Sequence, residues 1–304
     1  MRTVERATGR WPGILKHFGL GDRTLSGDHC PCPVCGGKDR FRFDDKEGRG
    51  TFYCSHCGAG NGMDLLMRIT GMSFKEAADA VDGIVGTVPE APRPLRTKDK
   101  AATLALCQRL WREARPVTPD DPVHRYLTSR IGDGVVINPQ VIRFHPNLGY
   151  RHPDKRVTIH PAMLARVQTF DGTGTALWRT FLTADGAKAD VPSQKKGLGS
   201  MPDGAAVRLM EHAGTLGIAE GIETALAASK RFGVPVWSAT CLNRLEAWIP
   251  PAGVKTVWVF GDNDTHGGGQ LAAKRLYERL ISSGLEVFVR IPDEPGTDWA
   301  DVTR

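Results

Sequence analysis

The sequence predicts an α+β chain of several domains: a small cysteine-rich β ribbon, a basic α+β middle lobe and a C-terminal α/β domain on a parallel sheet. Three observations lead there. Two C-x-x-C pairs stand close together near the N-terminus. The surplus of positive charge is concentrated in the middle of the chain. From Thr215 onward, strand-like and helix-like segments alternate regularly.

The length of 304 residues accommodates two or three such domains. No apolar run reaches the length of a membrane span. The N-terminal stretch MRTVERATGRWPGILKHFGLGD lacks the apolar core and small-residue cleavage site of a secretory signal. The expectation is a cytoplasmic protein without a membrane partner. Thiols stay reduced there, so the seven cysteines point to metal or chemistry before disulfides.

The ribbon is expected within residues 1–86, which hold five of the seven cysteines. In CPVCGGKDRFRFDDKEGRGTFYCSHCG, Cys32 and Cys35 form one pair and Cys54 and Cys57 the other, with 18 residues between them. That spacing suits a four-thiolate zinc ribbon. A tight turn after each first cysteine aims two thiolates at one point, and two such knuckles complete the tetrahedron of a structural zinc site. Gly36 and Gly58 free the backbone just after each pair. DRFRFDD and GTFYC read as the ribbon's strands. Phe41, Phe43, Phe52 and Tyr53 are candidates for its core or for base stacking. His29 and Cys30 remain alternatives to Cys32 as ligand, outside the symmetric pair spacing, and His56 is ambiguous. A redox role for the two C-x-x-C pairs is the competing reading.

A Pro-rich, charged stretch over residues 87–100 reads as a linker. The middle lobe is expected over 101–208. It opens with AATLALCQRLWREA, whose Leu104, Cys107, Leu110 and Trp111 share helical spacing. Short strands follow, including TIHPAMLARVQTFD and TALWRTFLTADG, with turns at Gly172 and Gly186. Between Arg143 and Lys196 nine Lys/Arg face four Asp, which accounts for five of the six surplus charges. A concentrated basic surface attracts phosphates, although a merely solvated basic face has the same composition.

The last domain is expected over 209–304. TLGIAEG, VPVWSAT, VKTVWVFGDND and LEVFVRIPD read as strands, and the segments between them as helices. Right-handed crossovers place every strand's C-terminal end on one edge. Glu220 ends the first strand, and Asp262 and Asp264 end the third. Converging acids repel unless cations lie between them, and hard oxygens suit Mg2+. Paired Mg2+ ions suit nucleotidyl transfer. Glu223, one turn further on, and Asp298 and Asp301 in GTDWADV are possible additional acids. The alternative for Asp262, Asn263 and Asp264 is an ordinary turn capping the next helix. Gly267, Gly268 and Gly269 form only a weak phosphate-loop signal. Cys107 and Cys241 are expected to pack as small hydrophobes. Trp237, Trp248 and Trp258 are expected in the core of this domain.

CPVCGGKDRFRF…GTFYCSHCGAGNGMDLL resembles the zinc-binding domain of satellite-phage and plasmid primases. AEGIETAL…VWVFGDND…GTDWADV resembles the Toprim domain, shared by bacterial-type primases, topoisomerases and some nucleases. HRYLTSRIGDGVVINPQVIRFHPNLGY is similar to the basic lobe that precedes Toprim in primases. The HPAM and WRTFL…KAD…KKGLG strings are similar to those of mobile-element relatives. The resemblance implies a DNA primase that makes short RNA primers on single-stranded DNA from ribonucleoside triphosphates, by two-metal chemistry, for replication of a mobile element. It implies Mg2+ held by Glu220, Asp262 and Asp264, and structural Zn2+ in the ribbon. Arg130, Arg143, Arg166, Arg179, Lys188, Lys195 and Lys196 are then candidates for contacts to nucleic acid or triphosphate. No GKS/T nucleotide loop is present, so a separate helicase is expected as partner.

Two other classes compete. A Toprim nuclease would use the same metals for hydrolysis. A topoisomerase would need a gate-domain tyrosine, and the only tyrosines are Tyr53, Tyr126, Tyr150 and Tyr277. A non-catalytic zinc-ribbon DNA-binding protein that recruits a helicase is the third reading, and the clustered acids argue against it.

Overall fold

The computed structural model describes residues 3–89 and 100–302. They fall into two units, residues 3–89 with 153–155 and residues 100–152 with 156–302.

The first unit opens with three short helices, α1 (Thr3–Ala7), α2 (Trp11–His17) and α3 (Asp22–Leu25). In α2, Trp11, Ile14 and Leu15 recur at helical spacing and are fully buried. A four-stranded antiparallel sheet follows, β1 (Cys30–Cys32), β2 (Gly36–Phe43), β3 (Phe52–Cys54) and β4 (Gly58–Gly60), in that order. Alternation along β2 buries Phe41 and Phe43 on either side of Arg42. The Phe41 ring stacks on Phe52 with centroids 5.5 Å apart. Phe41, Phe43 and Phe52 are therefore core, and Tyr53 is half-buried. Two helices, α4 (Gly62–Thr70) and α5 (Phe74–Ile84), close the unit, each started by a reciprocal capping box, Asn61 with Asp64 and Ser73 with Glu76. Of the expected linker, residues 90–99 lie outside the described residues. Val88 before them packs in the first unit's core, and Lys100 after them begins the next helix.

The second unit begins with α6 (Lys100–Glu113) and α7 (Pro122–Ile131). Cys107 on α6 is buried and Leu110 and Trp111 are half-buried, whereas Leu104 is exposed. An antiparallel sheet of β5 (Ile142–Arg151), β6 (Val157–Gln168), β7 (Gly174–Phe181) and β8 (Lys195–Gly199) follows, in that order. The prolines of this segment suggest short strands, yet β5 runs for 10 residues and β6 for 12. The ladder tolerates both prolines because they meet at a bulge. The register shifts between His145 and Leu148, so Pro146 lies opposite the Pro161 region, where paired N–H donors are not needed.

The C-terminal half alternates as its sequence does: β9 (Thr215–Ala219), α8 (Ile222–Phe232), β10 (Val236–Ser238), α9 (Leu242–Ala247), β11 (Thr256–Phe260), α10 (Gly268–Ser282) and β12 (Glu286–Arg290). All strand pairs are parallel, in the order β10-β9-β11-β12. Leu216, Ile218, Val257 and Val259 face α9 and α10, while Ala219 and Phe260 face α8. That second face shares one core with α7 and the antiparallel sheet. Trp237 and Trp248 are buried and Trp258 stacks on Phe260. No helix among the described residues is long and apolar enough to cross a membrane.

Candidate functional site

Two constellations stand out, one in each unit. In the first, the turns after Cys32 and Cys54 bring all four thiols together. Val34 N–H points at the Cys32 sulfur at 3.4 Å, and His56 and Cys57 N–H point at Cys54 at 3.4 and 3.3 Å. Gly36 and Gly58 take φ of 71° and 87°, the left-handed conformation that lets each turn rejoin the sheet. The sulfurs of Cys32, Cys35, Cys54 and Cys57 all lie within 4.8 Å of one another. Cys35 and Cys54 are 3.7 Å apart, and Cys32 and Cys57 3.9 Å. Zn–S bonds of about 2.3 Å in a tetrahedron put sulfurs roughly 3.8 Å apart. The cage therefore fits zinc in both donor type and size. Burial pushes the Cys54 thiol up to about 11, and a bound cation offsets that cost by favouring the thiolate. Cys30 is buried outside the cage, and the His29 ring faces the Asp39 carbonyl at 3.0 Å.

In the second unit the acids stand at the C-terminal edge of the parallel sheet. Ala219 pairs with Phe260, which places Glu220 beside the turn carrying Asp262. β9 and β11 are neighbours at the point where strand order reverses, the crevice in which open α/β sheets bind ligands. Glu220 is fixed from behind. Its carbonyl accepts the Thr240 N–H and the Ser238 hydroxyl, both at 2.8 Å. Thr240 takes φ 75°, a strained setting for a β-branched residue and one that favours a functional site. Gly269 lets α10 approach, because a Cβ there would lie 2.4 Å from the Asp262 carbonyl oxygen.

A pocket of about 120 Å3 opens at this edge, lined by Glu220, Glu223, Asp262 and Asp298 and, on the basic side, Arg130, Lys188 and Lys195. Its acids divide into two kinds. Glu223 is buried, with both oxygens engaged: Tyr126 Oη donates to Oε1 at 2.6 Å and Lys195 Nζ to Oε2 at 2.8 Å. Burial would raise its pKa, but the Lys195 charge and these hydrogen bonds hold it well below the usual range. Asp298 and Asp301 are paired with Arg130 at 3.2 and 3.1 Å. Glu220 and Asp262 have no such partner in the pocket. Burial and neighbouring carboxylates, Asp264 for Glu220 and Glu220 for Asp262, push them up to about 7 and about 8. Asp262 Oδ1 is buried without a hydrogen-bond partner. Lys195 offsets part of this repulsion, and the orphaned carboxylate oxygen among crowded acids fits a hard divalent cation. Asp264 does not line the pocket, and its Oδ2 accepts the Gly269 N–H at 2.8 Å. Among the described residues the four cysteines are the only such group drawn within 4.8 Å, so the acids form a more open site.

The seven basic candidates are dispersed. Arg130, Lys188 and Lys195 line the pocket. Arg143 and Arg166 both lie over the Trp111 ring, at 4.7 and 5.5 Å from its centroid. Arg179 donates to the Lys196 and Gly197 carbonyls at 3.3 and 3.1 Å, and burial lowers its pKa to about 10. Lys196 sits 4.5 Å from the centre of the Tyr150 ring. Tyr126, Trp178, Thr224 and Thr240 also line the pocket. No motif in the sequence singles them out for that role, because it arises from packing between α7, the antiparallel sheet and the parallel sheet.

Residues 27–63 match the family described as the zinc-binding domain of primase-helicase, and residues 215–304 match the Toprim domain. Residues 101–209 match a domain of unknown function (DUF7146). The chain thus carries a primase-type zinc ribbon at its N-terminus and a Toprim domain at its C-terminus. Similar solved structures include the zinc-binding and RNA polymerase domains of Aquifex aeolicus primase, at 14% identity over 99% of this chain and 81% of that one, with a TM-score of 0.38. The primase fragment of the bacteriophage T7 primase-helicase protein aligns at 13% identity over 90% and 92%, with a TM-score of 0.36. A DNA primase domain from Pseudomonas aeruginosa aligns at 14% over 66% and 74%, with a TM-score of 0.46.

Proposed function

We propose that this chain is a DNA primase that synthesises short RNA primers on single-stranded DNA, in the cytoplasm, for replication of a phage or plasmid-type mobile element and alongside a separate helicase. The observation that carries this reading is the pocket of about 120 Å3 at the Toprim sheet edge, where Glu220 and Asp262 share the lining with Lys188 and Lys195. Its occurrence in one chain with a primase-helicase-type zinc ribbon supports primer synthesis over other Toprim chemistry.

Glu220 and Asp262, with Asp264 beside them, would hold Mg2+. Bound there as a pair, the metal would neutralise charge developing on the transferring phosphoryl group and make the attacking hydroxyl more acidic. Lys188 and Lys195, which line the same pocket, would bind and orient the triphosphate. Arg143 and Arg166, stacked on Trp111, would contact template phosphates, a role that fixes register without reading sequence. The zinc ribbon would touch the template, with its thiolates occupied structurally.

The test is template-dependent incorporation of labelled ribonucleotides in Mg2+. We expect short RNA products that disappear in Asp262→Ala. Magnesium-dependent cleavage of the template without added nucleotides would instead favour the nuclease reading. Salt-sensitive DNA binding with no product, unchanged by Asp262→Ala, would favour a purely binding role.

A further inference from the structure

Glu223 stands in the acidic pocket but is chemically unlike Glu220 and Asp262. Both of its oxygens are given to side-chain donors inside the protein: the Tyr126 hydroxyl at 2.6 Å and the Lys195 ammonium at 2.8 Å. The three side chains come from three elements, α7, β8 and α8. The Glu223 side chain is 4% exposed and that of Lys195 34%. The carboxylate is therefore almost sealed, while the lysine stays partly accessible in the same pocket. An ammonium has three N–H donors, and Glu223 takes one. Lys188 lines the same pocket, and burial together with the Lys195 charge lowers its pKa. Two ammonium groups crowded in this way repel each other unless a fixed anion lies behind one of them.

We propose that Glu223 is a positioning residue that anchors Lys195, and through Lys195 fixes the triphosphate of the incoming nucleotide, rather than holding a metal. The proposal rests on the primase reading for the identity of the nucleotide. Each Glu223 oxygen already accepts a hydrogen bond and its side chain is 4% exposed, so a metal would have to compete with Tyr126 and Lys195 for it. Tyr126 completes the device by occupying Oε1, which leaves Oε2 to face Lys195. A lysine on its four-carbon stem is mobile, and a charge-assisted hydrogen bond to a buried carboxylate limits where its ammonium can go.

The test uses the full zinc-loaded chain and measures ATP binding by calorimetry and the KM for ATP in primer synthesis. The proteins compared are wild type, Glu223→Gln, Lys195→Ala and the double variant. Glu223→Gln should weaken ATP binding about tenfold and raise KM with a smaller effect on kcat. Because Glu223 acts through Lys195, the double variant should be no weaker than Lys195→Ala alone. Mn2+ binding, followed by electron paramagnetic resonance, should be the same in Glu223→Gln as in wild type. Additive losses of ATP affinity, or loss of Mn2+ binding in Glu223→Gln, would overturn the proposal. So would unchanged ATP affinity in a destabilised Glu223→Gln, which would make the triad a structural tie only. Should Glu223→Gln fail to fold, Tyr126→Phe carries the test, since it keeps the ion pair and frees one oxygen. Binding about two- to threefold weaker supports the anchor, and unchanged binding contradicts it. A wild type that binds ATP but makes no primer on any template removes the primase reading, while the binding cycle still decides the role of Glu223.

Discussion

Replacing Glu223 with Gln in the intact chain removes one charge from a sealed pair, and the cost can be worked from the structure. Glu223 is 3% exposed and titrates at about 2 against an ordinary value of 4.5. Removing one partner of a buried ion pair generally costs about 3–5 kcal/mol. The sign of the pH dependence follows from the depressed folded-state value. The stabilisation is fully present above the unfolded value and is lost as pH falls from about 4.5 toward 2. Urea unfolding of wild type and Glu223→Gln, followed by tryptophan fluorescence from about pH 3 to about pH 7, reads this directly. The variant should be less stable by about 3 kcal/mol near neutrality, with the gap closing progressively below about pH 4.5. A gap under about 1 kcal/mol at neutral pH, or a gap independent of pH, would refute the view that an ionised Glu223 organises this pocket.

Other expectations follow from the two sites. Metal analysis should find one zinc per chain, falling close to none in Cys54→Ser/Cys57→Ser, and chelation should unfold the ribbon, since structural zinc contributes folding energy directly. A ribbon that keeps its circular dichroism under chelation contradicts the ligand assignment. Glu220 and Asp262 titrate at about 7 and about 8, so the metal-free fold loses stability as pH rises through the interval from the ordinary carboxylate values to these. Mg2+ affinity should therefore climb from about pH 6 to about pH 8, with calorimetric proton release; pH-independent binding would count against the site. Gly269→Ala should reduce primer synthesis by tenfold or more in a folded protein, roughly the loss expected from misplacing the Asp262 turn, because the added Cβ would lie 2.4 Å from its carbonyl oxygen. Arg143→Ala/Arg166→Ala should flatten the salt dependence of single-stranded DNA binding by about 1.4 in log–log slope, and an unchanged slope would remove both residues from the template path.

The parts of this architecture written as local patterns were legible in the sequence. Cys32, Cys35, Cys54 and Cys57 declare a cage because ligand spacing is a local property. The alternation after Thr215 declares a parallel sheet, and strand ends then locate Glu220 and Asp262 on one edge. Legibility failed where tertiary packing decides. Nothing local tells that Glu223 faces Lys195 and Tyr126, residues 28 and 97 positions away, or that Arg130 pairs with Asp298, 168 positions on. Arg179 and Arg143 both donate to backbone carbonyls, Lys196 and Gly197 for the first and Pro139 and Trp111 for the second, which no local pattern announces. The prolines at 146 and 161 suggest broken strands, but only pairing shows that both fall at one bulge. The helices α4 and α5 do have local signals, Asn61 with Asp64 and Ser73 with Glu76, which the prominence of the cysteine motif overshadows.

Whether the Toprim acids of this chain build RNA on a DNA template is decided by resolving the length of products made from labelled ribonucleotides on mixed single-stranded templates in Mg2+, with Asp262→Ala/Asp264→Ala run beside wild type. The expected result is a ladder of short RNA from wild type alone, dependent on both template and ribonucleotides. Equal products from the acid variant, or none from a wild type that holds its zinc and binds both ATP and template, would rule the primase reading out.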